Sequence, residues 1–487
     1  MALNIGRVYP NSLHEKDGSV LFLIKGEREK KLIAIGDASS VFRELEGSIS
    51  SNDGFPMKVC DLSITNSHVI RKYFPYTRPV SLRKFRSTIG LGDRLGVASP
   101  GHIEVIQGYN AGPVLAQQSI RELTLTGRTF EDVLQDAVWA VFQEGYRDGF
   151  GADGDHLKST EEVKLALDAG YTMITLDCSE HINDIAGLSK GDVERMYMNM
   201  DKGTRERLEM RFLSEEFKLE SGFTLAFSQE ALKANAVIYQ KAVDFAVDVF
   251  DAMIRPCQRG IDFEMSIDET STPTDPLAHF FVALQLSEAG VDLYSVAPRF
   301  CGEFQKGIDY IGNLKQFREE LQAHQRIASH FGYKLSVHSG SDKFSVFPII
   351  GEETNGHVHV KTAGTNWLEA IRVIIHRDPA LYRELHAFAL EHLAEARRYY
   401  HVTLDTGRIP DVASLKDDEL ESLMAQNDAR QLMHITYGLI LQAKDCSGEY
   451  LFRDRIYRCL YENETLYNEF LVKHIGNHLR ALGFRSR

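Results

Sequence analysis

Eight short, β-prone apolar runs, ending again and again in ionisable residues, constrain this chain more than any other feature. They are Phe85–Leu91, Pro113–Gln118, the run entering Gly151-Ala152-Asp153, Tyr171–Asp177, Asp262–Glu269, Asp292–Val296, Lys334–His338 and His357–Lys361. Helical patterns stand between them. Phe130–Tyr146 carries apolar residues at helical spacing behind Thr129 as an N-cap, and further helical runs lie near 276–288, 313–330 and 366–376. Strand and helix in alternation give parallel βα units, and eight such strands close a barrel. The expectation is an α/β fold, a (β/α)8 TIM-like barrel over residues 81–380.

The flanks read differently. Residues 1–80 form a small β-rich cap, with Val20–Ile24 and Lys31–Ile35 as short strands each closed by a glycine, and Phe74–Pro79 as a linker. Residues 183–258 are charged, helical and too long for one crossover, so they read as an inserted helical hairpin or lid. From about 381 to 487 the pattern is a helical extension packed on the barrel. At 487 residues, 43% hydrophobic and 25% charged, the chain has the make-up of a soluble globular protein with a large core. The net charge of −14 argues against nucleic acid or an anionic membrane as partner, but a local cationic pocket still suits a small anion. No apolar run approaches the roughly 20 residues of a membrane helix, and the first residues start no signal peptide. Six scattered cysteines without a CxxC pair suit a reduced cytoplasm, the expected location. The expected partner is a small-molecule ligand, and a homo-oligomer is compatible with the sequence.

The strand ends carry the chemistry. Gly151-Ala152-Asp153-Gly154-Asp155-His156-Leu157-Lys158 places a carboxylate, an imidazole and an ammonium just before Ser159-Thr160-Glu161-Glu162, which has the form of a helix N-terminus. Asp155 and His156 should therefore sit between a strand's end and a helix's start, the catalytic rim of a barrel. His338 ends the seventh run, and His359, Lys361 and Thr362 end the eighth. Two strand-end imidazoles beside carboxylates point to a divalent metal site with about three protein ligands and an open position. The expected ligands are His156, His338 and an oxygen donor from the Glu303–Gln305 loop, with Gln305 preferred and His359 in reserve. Nitrogen and oxygen donors leave zinc, manganese, cobalt, nickel and iron undistinguished. Asp155 and Glu269 are the acid/base pair, although Asp155 would alternatively only orient His156. Lys158, Arg299, Lys306 and Lys343 are the cations available to clamp an anionic substrate; each alone also fits a solvated or structural charge. Gly90-Leu91-Gly92-Asp93-Arg94-Leu95-Gly96 has GxGxxxG spacing, and Pro100 soon cuts off the helix a dinucleotide would need. It reads as a turn at the rim of the first strand.

Four strings, Gly90–Arg94, Asp153–Lys158, Ile267–Thr270 and Leu335–Gly340, together resemble the tagaturonate epimerase family of hexuronate catabolism. The resemblance runs over nearly the full length. It implies a metal-dependent barrel enzyme that interconverts D-tagaturonate and D-fructuronate, with Asp155 and Glu269 transferring protons and His156 and His338 binding the cation. The two keto-uronates differ at a hydroxyl-bearing carbon β to the ketone, whose C–H is not acidified. A retro-aldol route is therefore expected over direct deprotonation. The alternatives are a class II-type metal aldolase or sugar isomerase on the same barrel, or a non-catalytic sugar-acid binding protein.

Overall fold

A computed structural model describes residues 6–36, 39–52, 54–219, 222–268, 270 and 272–487. Eight strands close in chain order into a parallel barrel: β1 Ser87–Leu91, β2 Ala111–Ser119, β3 Gly151–Leu157, β4 Met173–Asp177, β5 Asp262–Ile267, β6 Leu293–Pro298, β7 Lys334–Val337 and β8 Val358–Thr362. The ring is sealed where β8 pairs with β1, Val358 opposite Ser87 through Thr362 opposite Leu91. Each of the eight apolar runs is thus a barrel strand, with ends shifted by a few residues.

Local sequence explains the helices around it. Thr129 Oγ1 accepts from the Asp132 backbone N–H at 3.2 Å, while Asp132 accepts from the Thr129 N–H at 2.8 Å, a reciprocal cap for the helix Phe130–Glu144. Ser159 caps Thr160–Ala169 through the Glu162 N–H at 3.2 Å. The Gly90–Gly96 stretch closes β1 with a turn in which Asp93 accepts from the N–H groups of Leu95, Gly96 and Ala98. A Cβ at Gly90 would lie 1.7 Å from Gln117 Oε1, so a side chain there would have to displace the Gln117 amide.

Between β4 and β5 the chain forms helices Lys190–Met198 and Lys202–Phe212, a two-stranded hairpin (Phe217–Lys218 with Thr224–Leu225) and a long helix, Gln229–Val249. That long helix packs on the barrel helix Pro276–Glu288. The N-terminal strands make a six-stranded antiparallel sheet, in which Ser19–Lys25 pairs with Lys30–Ile35. The C-terminal helices build a second core around Leu385, Leu432 and Ile456, to which the last barrel helix, Thr365–Arg377, contributes Trp367 and Ile371. Among the described residues, no helix is long and apolar enough to cross a membrane.

Candidate active site

The site starts with an irregularity in β3. Against β4, Gly154 pairs with Ile174 and Leu157 with Leu176, so Asp155 and His156 stand opposite the single residue Thr175. This is a β-bulge. In a regular strand neighbouring side chains point to opposite faces. Here His156 takes a left-handed backbone, φ 52°, at a cost of about 1–2 kcal/mol, and the extra residue lets both side chains reach the same centre. The sequence alone places this pair beyond the strand's end. In the structure they lie within the strand, because the bulge keeps the ladder going to Leu157.

Leu82, Phe85, Val114, Met173 and Tyr294 plug the N-terminal end of the barrel. Above them the interior is polar. The Lys361 ammonium on β8 lies 2.8 Å from Asp153, 2.8 Å from Asp155 and 2.9 Å from Glu264, and also donates to Thr175 Oγ1. Burial alone would lower the Lys361 pKa, but the three carboxylates outweigh it and hold the ammonium well above its usual range. Burial pushes Asp153 up to about 6 in spite of Lys361. Asp155 goes the other way: burial is outweighed by Lys361, His156 and His338, and its carboxyl is held below the usual range.

Glu264 passes the network on. Its Oε1 lies 2.8 Å from His338 Nε2, and its other oxygen accepts from Ser295 Oγ. On the far side of the ring, His338 Nδ1 is 3.1 Å from Asp268, which accepts from Ser266 Oγ. Burial would lower the His338 pKa; Asp268 and Glu264 outweigh it and push the imidazole up to about 10. The His156 and His338 rings meet edge to face at 4.8 Å between centroids, and His156 Nδ1 is 3.5 Å from Asp177.

His156, Asp268 and His338 each offer a ligand atom, all within 4.8 Å of one another. Two imidazoles and a carboxylate are a donor set for a borderline divalent ion. His156 Nδ1 and His338 Nδ1 are buried without a well-formed hydrogen bond. The negative field that keeps a proton on His338 would hold a divalent cation in its place. The residues therefore fit such an ion, and the site opens to a cleft of about 220 Å3 lined by Asp268, Arg299, Glu303, Gln305, His338 and His401.

The other residues singled out from the sequence spread around this centre. Gln305 is in the cleft, but its carbonyl oxygen accepts from Thr403 N–H and Oγ1 at 3.0 Å each and from Gln431 at 2.8 Å. Its amide nitrogen donates to Glu303. His359 sits deeper in the barrel, 3.0 Å from Thr88 Oγ1. Lys306 donates to Ser339 Oγ at 3.1 Å, and Arg299 lines the cleft. Lys158 reaches Ser179 Oγ at 3.1 Å and Asp177 at 3.5 Å. Lys343 points inward: its three N–H donors go to the carbonyls of Gln305, Ile308 and Ser341 at 2.6–2.8 Å, tying the loops after β6 and β7 together. Glu269 lies outside the described residues.

A family model described as tagaturonate epimerase matches residues 9–482. The chain belongs to the tagaturonate epimerase family. The tagaturonate/fructuronate epimerase of Thermotoga maritima is 40% identical over 480 residues, covering 98% of this chain and 96% of that protein. The native crystal structure of fructuronate-tagaturonate epimerase from Cohnella laeviribosi matches with a TM-score of 0.95 at 49% identity, covering 99% of this chain and 98% of that one. A glycerol complex of the same enzyme gives a TM-score of 0.95 over 98% and 97% of the two chains.

Within this tagaturonate epimerase family member, Asp153, Glu264, Asp268 and Lys361 stand in the site although the reading of the sequence gives none of them a role; Asp153 and Lys361 end their runs, and Glu264 lies inside its own. A signal for them exists in the sequence. Asp262-Phe263-Glu264-Met265-Ser266-Ile267-Asp268 and Val358-His359-Val360-Lys361-Thr362 alternate polar with apolar residues along the strand. A barrel interior is ordinarily filled by branched apolar side chains, so strict alternation marks strands whose polar face looks inward.

Proposed function

We propose that this chain is a metal-dependent epimerase that interconverts D-tagaturonate and D-fructuronate by retro-aldol cleavage and re-addition. Membership of an epimerase family makes it an isomerase. The observation that carries the finer reading is the bulge in β3, which sets the carboxylate of Asp155 beside a His156–Asp268–His338 donor group at the C-terminal end of the barrel. A divalent ion held by His156, Asp268 and His338, with Gln305 in the same cleft, would supply Lewis-acid polarisation of the substrate's keto oxygen.

The chain's own residues do the rest. Arg299 at the cleft and Lys306, which donates to Ser339 on the cleft wall, hold the uronate carboxylate and so fix which end of the sugar faces the barrel. One of the pair Asp155 and Glu269 takes the proton from the β-hydroxyl. The O–H electron pair becomes a carbonyl π bond, the bond between the α and β carbons breaks, and its pair passes to the keto side as an enediolate. The aldehyde half turns its other face, the new bond forms, and the opposite acid returns the proton to oxygen. The carbon-bound hydrogen at the inverted centre is never removed. An aldolase would release the two halves, whereas the clamp on the carboxylate end and the closed polar interior favour retention and re-addition.

Two measurements test this. D-tagaturonate incubated with the purified chain should yield D-fructuronate, and a chelator should stop it. Run in deuterium oxide, the product should carry no deuterium at the inverted carbon by NMR. Stoichiometric deuterium there would replace the retro-aldol route with direct deprotonation.

A further inference from the structure

Lys361 is 3% exposed and lies at the crossing point of the polar interior. Its ammonium has three protons and four oxygen neighbours: Asp153 Oδ2 and Asp155 Oδ1 on β3, Glu264 Oε1 on β5, and Thr175 Oγ1 on β4. The same Glu264 oxygen receives His338 Nε2 at 2.8 Å, and His338 continues to Asp268 at 3.1 Å. One unbroken chain of charged contacts thus runs Asp155, Lys361, Glu264, His338, Asp268. It crosses the barrel from the carboxylate on the bulge to the imidazole on the opposite wall.

Structural filling does not account for this. Burying an ammonium costs several kcal/mol even after relaxation, and an apolar side chain on β8 would fill the barrel without that penalty. What apolar packing cannot do is fix the oxygen positions of three carboxylates relative to one another. Asp155 sits on a bulge with a left-handed neighbour, a place where the backbone alone specifies direction weakly. It needs a partner to define its rotamer. Lys361 is that partner on the inner side, at 2.8 Å.

We propose that Lys361 is a positioning residue of the epimerisation: its ammonium fixes Asp155 relative to the Glu264–His338 pair, so that the proton-transferring carboxylate and the donor group face one substrate at the right separation. The inference rests on the epimerase reading above. Lys361 contacts Asp155 directly and His338 through Glu264, so removing it should harm turnover and spare binding. Misplacing a reacting group by about 1 Å typically costs on the order of 10²-fold in rate.

The test uses the full-length chain supplied with Mn2+. Wild type must first convert D-tagaturonate; failure there sinks the epimerase reading and says nothing against the Lys361 contacts. Given wild-type turnover, Lys361→Met is expected to lower kcat by about 10²-fold, with KM and the calorimetric Kd for D-tagaturonate within about threefold of wild type. In Lys361→Ala, added n-propylammonium, which replaces the deleted atoms, should restore kcat at least about tenfold, while n-propanol should not. Wild-type kcat in Lys361→Met, equal rescue by the neutral alcohol, or parallel loss of binding and turnover would each overturn the proposal. If Lys361→Met does not fold, Thr175→Val decides, since it removes one of the four oxygens around the ammonium, with that hydroxyl's bonds to Asp153 and Glu264, and keeps the ammonium. A kcat about tenfold lower at unchanged KM supports the role, and an unchanged kcat overturns it.

Discussion

His156 holds a left-handed φ of 52° in a residue with a bulky ring, and no interaction of a passive loop would require it. The conformation is held because the ring ends up among Asp155, Asp177 and the His338 ring. His156→Ala and His338→Ala are expected to lose bound divalent metal and chelator-sensitive turnover while keeping the fold. Elemental analysis of the purified variants checks this, and unchanged metal content in both would remove the assignment. Asp155→Asn and Glu269→Gln should each lower kcat by about 10²–10⁴-fold, the usual contribution of a positioned acid or base, and both should still bind metal. Asp268→Asn compared with Gln305→Ala identifies the third donor: the larger loss of metal affinity marks the ligand.

Elements carry the stability that lets residues be strained. The helix Phe130–Glu144 is closed at its start by the Thr129–Asp132 reciprocal cap, far from the site chemistry. Thr129→Ala should cost about 1 kcal/mol of stability, read as a lower denaturant midpoint, with kcat and KM unchanged. A change in turnover would mean that this helix does more than support β2 and β3. The loops after β6 and β7 depend on Lys343, whose buried ammonium, pushed down to about 7 by burial, is held by three carbonyls. Gln305 and His338 therefore stand on loops that one side chain joins.

At the scale of the molecule, the C-terminal helix Glu464–Ala481 is latched to the barrel through His474. Its Nε2 lies 2.8 Å from Asp342 on the loop after β7, and its Nδ1 lies 3.3 Å from Glu369 on the last barrel helix. Arg430 also pairs with Asp342 at 2.9 Å, Arg372 lies 3.4 Å from Glu369, and His478 accepts from the Asp342 N–H at 3.0 Å. Burial would lower the His474 pKa, but Asp342 and Glu369 outweigh it and raise it. A raised imidazole contributes stability that is complete below its ordinary pKa and is lost as pH rises through the folded value. The depressed Asp342 contributes above the ordinary carboxylate range and loses that as pH falls. The latch should thus weaken on the alkaline side. Amide exchange in the helix, corrected for its intrinsic pH dependence, should accelerate as pH rises above the ordinary imidazole range, and His474→Gln should flatten that profile. A wild-type profile as flat as the variant's would refute the latch.

The sequence by itself determined the barrel and its rim. Eight apolar runs, each with the length and β-propensity of a buried strand, and helices with their own caps at Thr129 and Ser159, leave few other folds, because patterning and capping are local. It also marked Asp155, His156 and His338, since ionisable residues at strand ends stand out from apolar neighbours. What only tertiary structure decided is which groups meet. The bulge that turns His156 inward comes from a register shift against β4, and no single-strand pattern encodes register across a pair. Lys361 and Glu264 belong to strands far apart in the chain, and the contact between them exists only because the ring closes. Lys343, a cation on paper, points into carbonyls instead of the cleft, because the loops around it need its three donors more than solvent does. Charge type is written in the chain; the direction in which a charge points is set by what packs around it.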